Sequence, residues 1–195
     1  MERRSLAEVP EIRSSDAGKT IRGYAAVFND ATDIGGAFRE IIAPGAFKDT
    51  LSSDIRALID HDSGRVIGRS KAGTLRLKED DHGLAVEIDL PDTTDGRDLA
   101  VSLERGDISG MSFGFRVTHD EWDETGDIPT RTIRAVDLFE VSAVAFPAYD
   151  GTELALRSRD NAKSERELKE HNAAQAAARI AARKAEQEQK FRGIN

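Results

Sequence analysis

The chain has 195 residues, a formal net charge of −8 and no cysteine. The length is enough for one domain with an appendage. The acidic balance argues against general nucleic-acid binding, and the lack of cysteine excludes disulfides, a thiolate nucleophile and cysteine-ligated zinc. No apolar run has the length of a membrane span, and no hydrophobic segment follows the first residues, Met-Glu-Arg-Arg-Ser. We therefore expect a cytoplasmic protein without a secretory signal.

The charge is unevenly distributed along the chain. Residues 157–195 carry ten Lys/Arg against six Asp/Glu, a net of +4, whereas the preceding part has a net charge of −12. Residues 164–192 are strong helix formers, but their apolar face is mostly alanine, which favours a solitary or partner-bound helix. The composition predicts three parts: a flexible segment 1–18, a domain 19–156, and a basic, alanine-rich helical tail 157–195.

The predicted domain is mainly β, with flanking helices. Alternating or apolar runs predict successive strands at 20–28, 38–42, 55–59, 66–69, 74–78 and 83–90. A short helix is predicted at 44–51, because Pro44 suits a first helical turn. A longer helix is predicted at 95–105, with Asp95 as its N-cap and Gly106 as its stop.

Residues 107–117 form the most informative stretch, Asp-Ile-Ser-Gly-Met-Ser-Phe-Gly-Phe-Arg-Val. Its period of two predicts a strand with one bulky apolar face and one face that bears Gly110, Ser112 and Gly114. Glycine in a strand interior often marks close approach by another chain. One interpretation is that Ser112 is a nucleophile with an extended peptide across it. The alternative is a twisted strand whose glycines relieve crowding. Ser109 is a weaker candidate nucleophile.

A serine nucleophile needs a base and a group that orients the base. His61 follows the predicted strand at 55–59 and is the best-placed histidine. Glu140 lies in an apolar run, Leu-Phe-Glu-Val-Ser-Ala-Val-Ala-Phe at 138–146. A buried carboxylate must be paired or hydrogen-bonded.

Two alternatives remain open from the residues alone. Glu140 could orient His61, or it could pair with an arginine such as Arg116 or Arg134. A divalent metal could be held by Asp60, His61 and Asp62 with His82, although no known ligand spacing supports such a site.

Six stretches together carry a resemblance to a known family: Gly-Tyr-Ala-Ala-Val-Phe at 23–28, Pro-Gly-Ala-Phe at 44–47, Leu-Ile-Asp-His at 58–61, Ile-Ser-Gly-Met-Ser-Phe-Gly-Phe at 108–115, Leu-Phe-Glu-Val-Ser at 138–142 and Pro-Ala at 147–148. With these stretches the chain resembles the phage prohead (capsid-maturation) protease family, which is similar to the herpesvirus assembly proteases. The resemblance spans about residues 19–155. It implies a serine endopeptidase on a small antiparallel β-barrel of the herpesvirus-protease type, with His61 as base, Ser112 as nucleophile and no cofactor. The third member is expected to be acidic or a histidine, and Glu140 stands at its expected place, on the strand after the serine strand.

The resemblance also implies a biological setting. We expect an enzyme inside the immature procapsid that cleaves scaffold and coat-protein segments, and itself, as a homo-oligomer such as a dimer. The oxyanion hole is expected near residues 147–149. The exposed joint at 157–163 is an expected self-cleavage region. The rival interpretation is a non-enzymatic scaffold or adaptor module, in which the serine is incidental and the helix binds a partner.

Overall fold

The computed structural model describes residues 1–6, 10–15 and 18–146, and within a C-terminal helix residues 168, 171–172, 174–176 and 178–179. The chain divides into two compact units, Met1–Thr152 and Glu153–Asn195. The described residues of the second unit are helical and exposed. None of the helices in these described ranges is long and apolar enough to cross a membrane.

The first unit is mainly β, which confirms the predicted class. The seven-stranded sheet consists of β1 (Glu2–Leu6), β4 (Thr32–Ile34), β5 (Phe38–Ile42), β6 (Arg56–Ile59), β7 (Asp62–Arg69), β10 (Gly110–Asp123) and β11 (Thr130–Val144). The four-stranded sheet consists of β2 (Glu11–Ser15), β3 (Gly18–Val27), β8 (Leu75–Glu79) and β9 (Gly83–Asp89). A 3-10 turn (Ser70–Ala72) and one helix, α1 (Thr94–Arg105), lie between strands.

The larger sheet is mixed, not antiparallel. Its order is β1-β10-β11-β5-β4, and β6 also pairs with both β11 and β7. Strands β5 and β6 run parallel to β11, so the antiparallel prediction is wrong for these two pairs. Their connections to β11 are long enough for the crossover that parallel pairing requires. Among the described strands neither sheet closes on itself, and the expected closed barrel is not seen.

The central strand β10 is anchored by its apolar face. Met111, Phe113 and Phe115 are at most 2% exposed, as the alternation predicts. Phe113 stacks on Phe115 with 4.8 Å between ring centroids and meets Phe47 edge-on at 5.5 Å. Burying each large side chain contributes roughly 1.5–3 kcal/mol. This packing fixes the opposite face of β10, which carries Ser112.

Helix α1 leads the chain into β10. Its buried side is Leu99, Ala100 and Leu103, and Gly106 ends it in the left-handed region at φ 78°. The N-cap is Thr93, whose hydroxyl accepts a hydrogen bond from the Gly96 N–H at 3.3 Å, so the assignment of Asp95 as N-cap is wrong. Both residue types suit the position, and the helix begins one residue earlier than predicted.

Two further stretches differ from the predictions. Residues 44–50 form successive turns instead of a helix, with hydrogen bonds from Thr50 N to Phe47 O and from Ala46 N to Ala43 O. Burial of Ala46 and Phe47 holds these turns in place. Within the segment 1–18, expected to be flexible, lie the strands β1 and β2. Strand β1 pairs with the distant β10, so no local pattern indicates it, whereas β2 pairs antiparallel with β3, the next strand in the chain.

Candidate active site

Ser112 lies at the centre of the larger sheet and is fully buried. In the ladder it is opposite Ser142 of β11 on one side and Ser5 of β1 on the other. Residues directly opposite each other project from the same face of a sheet. The stretch of β10 around Gly110, Ser112 and Gly114 is therefore paired with β1 on one edge and with β11 on the other.

His61 lies in the tight turn between β6 and β7. Asp60 and His61 both have positive φ, 48° and 60°. Two such residues between paired strands form the type I′ geometry of two-residue hairpins. Positive φ is unusual for residues other than glycine and is often held by surrounding contacts at functional sites. Here Asp60 N donates to Ala143 O at 3.0 Å, and the Asp60 carboxylate accepts from Ala145 N at 3.2 Å.

The Glu140 side chain, on the neighbouring strand β11, contacts the His61 ring. The distance from His61 Nδ1 to Glu140 Oε1 is 2.7 Å, and the two side chains are 12% and 7% exposed. Both arginines that were alternative partners bind elsewhere: Arg116 pairs with Asp137 and Arg134 with Glu121. The structure thus places Glu140 where it holds the imidazole by Nδ1 and leaves Nε2 for other chemistry.

Ser142 completes this cluster and was missed by the sequence analysis. Its hydroxyl donates to Glu140 Oε2 at 2.6 Å and accepts from His61 N at 3.3 Å. It therefore fixes both the second carboxylate oxygen and the backbone of the histidine. Ser142 follows Glu140 by two positions in a strand, so period-two alternation already put the two side chains on one face.

The Ser112 hydroxyl is hydrogen-bonded away from the histidine. It donates to the Arg4 carbonyl of β1 at 2.8 Å. Among the described residues, the ring partner of His61 is Glu140. The structure thus brings His61 and Glu140 together and places Ser112 on the same sheet face, with β1 engaging its hydroxyl.

Gly114 creates the space for the Glu140 carboxylate. The two residues are opposite in the ladder, and a Cβ on Gly114 would lie 2.3 Å from Glu140 Oε1 and 3.0 Å from its Cδ. Two interpretations of this glycine were open from the sequence, room for a substrate or relief of crowding in a twisted strand. Its observed neighbour is the carboxylate itself.

We expect Gly114→Ala to displace Glu140 from His61. Activity should fall by about 10²-fold or more, as when an orienting carboxylate is lost, and unfolding free energy by about 1–3 kcal/mol from overpacking. Peptide turnover and urea unfolding would measure the two effects. The matched control is Gly126→Ala, where the nearest atom to a new Cβ is 3.6 Å away. Full activity in Gly114→Ala would show that the contact between Glu140 and His61 is not needed for activity.

The remaining sequence candidates lie apart from this cluster. Ser109 precedes β10 and is half-buried, and His119 is exposed on β10. His82 packs edge-on against the Tyr24 ring, with centroids 4.5 Å apart. Within the described ranges no group of three or more His, Asp or Glu side chains is arranged to hold a metal ion. The expected oxyanion region at 147–149 and the joint at 157–163 lie outside the described residues.

Comparisons with known proteins identify the family of this chain. The family model of the caudovirus prohead serine protease matches residues 7–167. The prohead protease of Enterobacteria phage HK97 is 34% identical over 168 residues, 81% of this chain and 70% of the relative. The prohead protease of Escherichia phage T5 is 32% identical over 90 residues, 46% of this chain and 40% of the relative.

A solved structure shares the fold. The bacteriophage T4 capsid assembly protease, gp21, aligns with a TM-score of 0.54 and 13% identity, covering 73% of this chain and 96% of that chain. The family match covers most of the chain and sets aside the non-enzymatic alternative. The chain belongs to the caudovirus prohead serine protease family and is a serine endopeptidase.

Proposed function

We propose that His61, Ser112 and Glu140 are the catalytic triad of this protease. The observation that carries the assignment is the 2.7 Å contact between His61 Nδ1 and a buried Glu140, on the sheet face that also bears Ser112. His61 takes the proton of Ser112, Ser112 attacks the scissile carbonyl, and Glu140 stabilises the imidazolium. In this acyl transfer the nucleophile, the base and the orienting carboxylate are all side chains of the protein, so no cofactor is needed.

Access to Ser112 requires a rearrangement of the N-terminus. The hydroxyl is fully buried and bonded to the Arg4 carbonyl, so β1 occupies the place beside β10 that an extended substrate would take. An added strand is a common way to bind an extended peptide. In the described structure β1 therefore covers Ser112. When β1 departs, the Ser112 hydroxyl can give its proton to His61.

The substrates that fit this family are phage capsid proteins. The relatives are named for the prohead and for capsid assembly. We infer that this chain acts inside the immature procapsid on scaffold and coat-protein segments, and on itself, as a homo-oligomer that binds neither nucleic acid nor membrane. We also infer a sheet curled in the manner of the herpesvirus-protease barrel, since the ion pair of Arg4 with Glu40 joins β1 to β5, which are not neighbours in the sheet.

Co-expression with the coat protein tests this function. Mass spectrometry of the protein termini should show new coat-protein ends with the wild-type chain and none with Ser112→Ala. New ends that appear equally with both chains would reject the proposed triad. Coat protein that stays intact with the wild-type chain would reject the proposed substrate.

The tail is proposed as a targeting element that is separate from the protease domain 19–156. The helical residues of the second unit are exposed, and residues 157–195 carry a net charge of +4. A basic, alanine-faced helix suits docking on an acidic helical scaffold segment, and the joint at 157–163 would allow its later removal.

We expect truncation after Leu156 to leave peptide turnover nearly unchanged while sharply reducing the number of protease copies per procapsid. The two quantities are measured in parallel, in solution and in purified particles. A truncated chain that fails to fold would show that the tail belongs to the domain. Normal incorporation would reject the targeting role.

A further inference from the structure

One residue of strand β1, Arg4, places its carbonyl group against the proposed nucleophile, Ser112. It runs antiparallel to β10, with Arg4 opposite Phe113 and Ser5 opposite Ser112. The Arg4 carbonyl accepts the Ser112 hydroxyl at 2.8 Å. If a substrate pairs with β10 in the same register as residues 2–6, the residue in the place of Arg4 supplies the scissile carbonyl. Ser5 then follows the bond that is cleaved.

The Arg4 side chain enters a buried acidic site on the other sheet face. Its Nε lies 2.5 Å from Glu40 Oε1 and its Nη2 lies 2.9 Å from Glu40 Oε2, so one guanidinium binds one carboxylate at two points. The Arg4 guanidinium also lies over the Phe115 ring, 5.6 Å from its centroid. Two-point binding with an aromatic floor distinguishes arginine from other side chains.

The site is built to hold a cation. Glu40 is 3% exposed and Arg4 is 13% exposed. Burial lowers the pKa of Arg4, but the charge and hydrogen bonds of Glu40 and the charge of Glu2 outweigh this, so the pKa is raised. The bound arginine is therefore fully charged. A cavity of only about 40 Å³ remains beside Arg4, lined also by Asp30 and Thr32.

Removing β1 would take the two-point partner away from Glu40. Glu40 would keep Arg131, whose Nη1 is 3.2 Å away, and Arg131 would keep Asp120, at 2.7 Å from its Nε. The net charge of this cluster is the same with and without Glu2 and Arg4 of β1, so what Glu40 loses is its two-point hydrogen-bonding partner. A buried, half-paired carboxylate is costly, so the vacated site favours an incoming peptide with a positive side chain at this position.

We propose that Glu40 sets the cleavage specificity of this protease by binding an arginine on the residue that supplies the scissile carbonyl. The inference rests on the proposed function of Ser112 and His61. Residues 2–6, Glu-Arg-Arg-Ser-Leu, occupy the site as the chain's own copy of such a substrate. Arg3 serves as the internal comparison, because its side chain is exposed.

The reaction on such a substrate is ordinary acyl transfer. Ser112 Oγ forms a bond to the carbonyl carbon of the arginine, the bond from that carbon to the next amide nitrogen breaks, and His61 passes the serine proton to the leaving amine. Water then hydrolyses the ester and restores the serine. Glu40 takes no part in making or breaking these bonds. It selects the peptide by binding the arginine side chain.

The test uses the full chain with an excess of quenched peptides of the sequence Met-Glu-Arg-Arg-Ser-Leu-Ala. We expect the native peptide and the peptide with Gln in place of the first arginine to be cleaved at similar kcat/KM. The peptide with Gln in place of the second arginine should be cleaved at least ~10²-fold more slowly, because a site that hydrogen-bonds a group rejects analogues lacking it. Lysine at the second position should give an intermediate rate.

The Glu40→Gln chain should lose most of this preference, so that the kcat/KM values for the native peptide and for the peptide with Gln in place of the second arginine approach each other. The control is Glu121→Gln, which alters an exposed pair with Arg134 and should keep the preference. Equal cleavage of the two Gln peptides by wild type would overturn the inference, and so would an undiminished preference in a folded Glu40→Gln chain. A wild-type chain that neither reacts with a fluorophosphonate nor cleaves any peptide would instead overturn the proposed function itself. The peptide series on wild type decides the matter even if Glu40→Gln fails to fold.

Discussion

Ser112→Ala is expected to lower peptide and coat-protein cleavage by at least ~10⁴-fold, since it removes the only atom that forms the acyl bond in the proposed mechanism. The fold should persist. The alanine fits the fully buried position and forfeits one hydrogen bond, to the Arg4 carbonyl, which is worth about 1 kcal/mol. Turnover and thermal unfolding measure the two effects.

Two serines serve as controls for this result. Ser109→Ala should keep most activity, because Ser109 precedes β10 and lies off the face of Ser112. Ser142→Ala should fold and lose only part of the activity, because Ser142 holds Glu140 and the His61 backbone without offering its oxygen to a substrate. Full activity in Ser112→Ala together with complete loss in Ser142→Ala would transfer the nucleophile to Ser142.

Glu140→Gln is expected to lower kcat by ~10²–10⁴-fold, as for other carboxylates that orient a catalytic histidine. The amide of glutamine can donate a hydrogen bond to Nδ1, which favours the tautomer whose Nε2 carries the proton and cannot accept one from serine. Stability should change by only about 1–2 kcal/mol, since the replacement has the same size and can still hydrogen-bond to the Ser142 hydroxyl and the His61 ring.

The kinetic pattern distinguishes an orienting role from a structural one. A loss of kcat with little change in KM and in the unfolding midpoint is the expected result. Destabilisation of roughly 3–5 kcal/mol would instead indicate a broken buried ion pair. Glu121→Gln is the matched control, because that carboxylate is exposed and pairs with Arg134.

Much of the sheet could be predicted because the responsible signals are local. The alternation at Met111, Phe113 and Phe115 gives both the strand and its buried face, and the left-handed glycine at 106 ends the helix as expected. Glu140 could be singled out because an isolated carboxylate within an apolar run needs a partner. Its partner could not be decided from sequence, as both His61 and two arginines satisfied the same requirement.

The features that escaped prediction depend on contacts far apart in the chain. The pairing of β1 with β10 joins residues 2–6 to 111–115 and covers Ser112, yet nothing in Glu-Arg-Arg-Ser-Leu marks it as a strand. The parallel pairing of β6 with β11 brings the His61 turn to Glu140 and is also a long-range contact. Gly114 was recognised as significant, but its function as space for the Glu140 carboxylate emerges only from the register.

The identity of the nucleophile can be read directly from the site of a fluorophosphonate adduct. The full chain is incubated with the reagent, digested and mapped by mass spectrometry, beside a His61→Ala chain as control. We predict a single adduct on Ser112 that accumulates slowly, because β1 covers the hydroxyl, and that is absent from the His61→Ala chain. An adduct on Ser142 or Ser109, or no adduct on a chain that cleaves coat protein, would contradict the proposed triad.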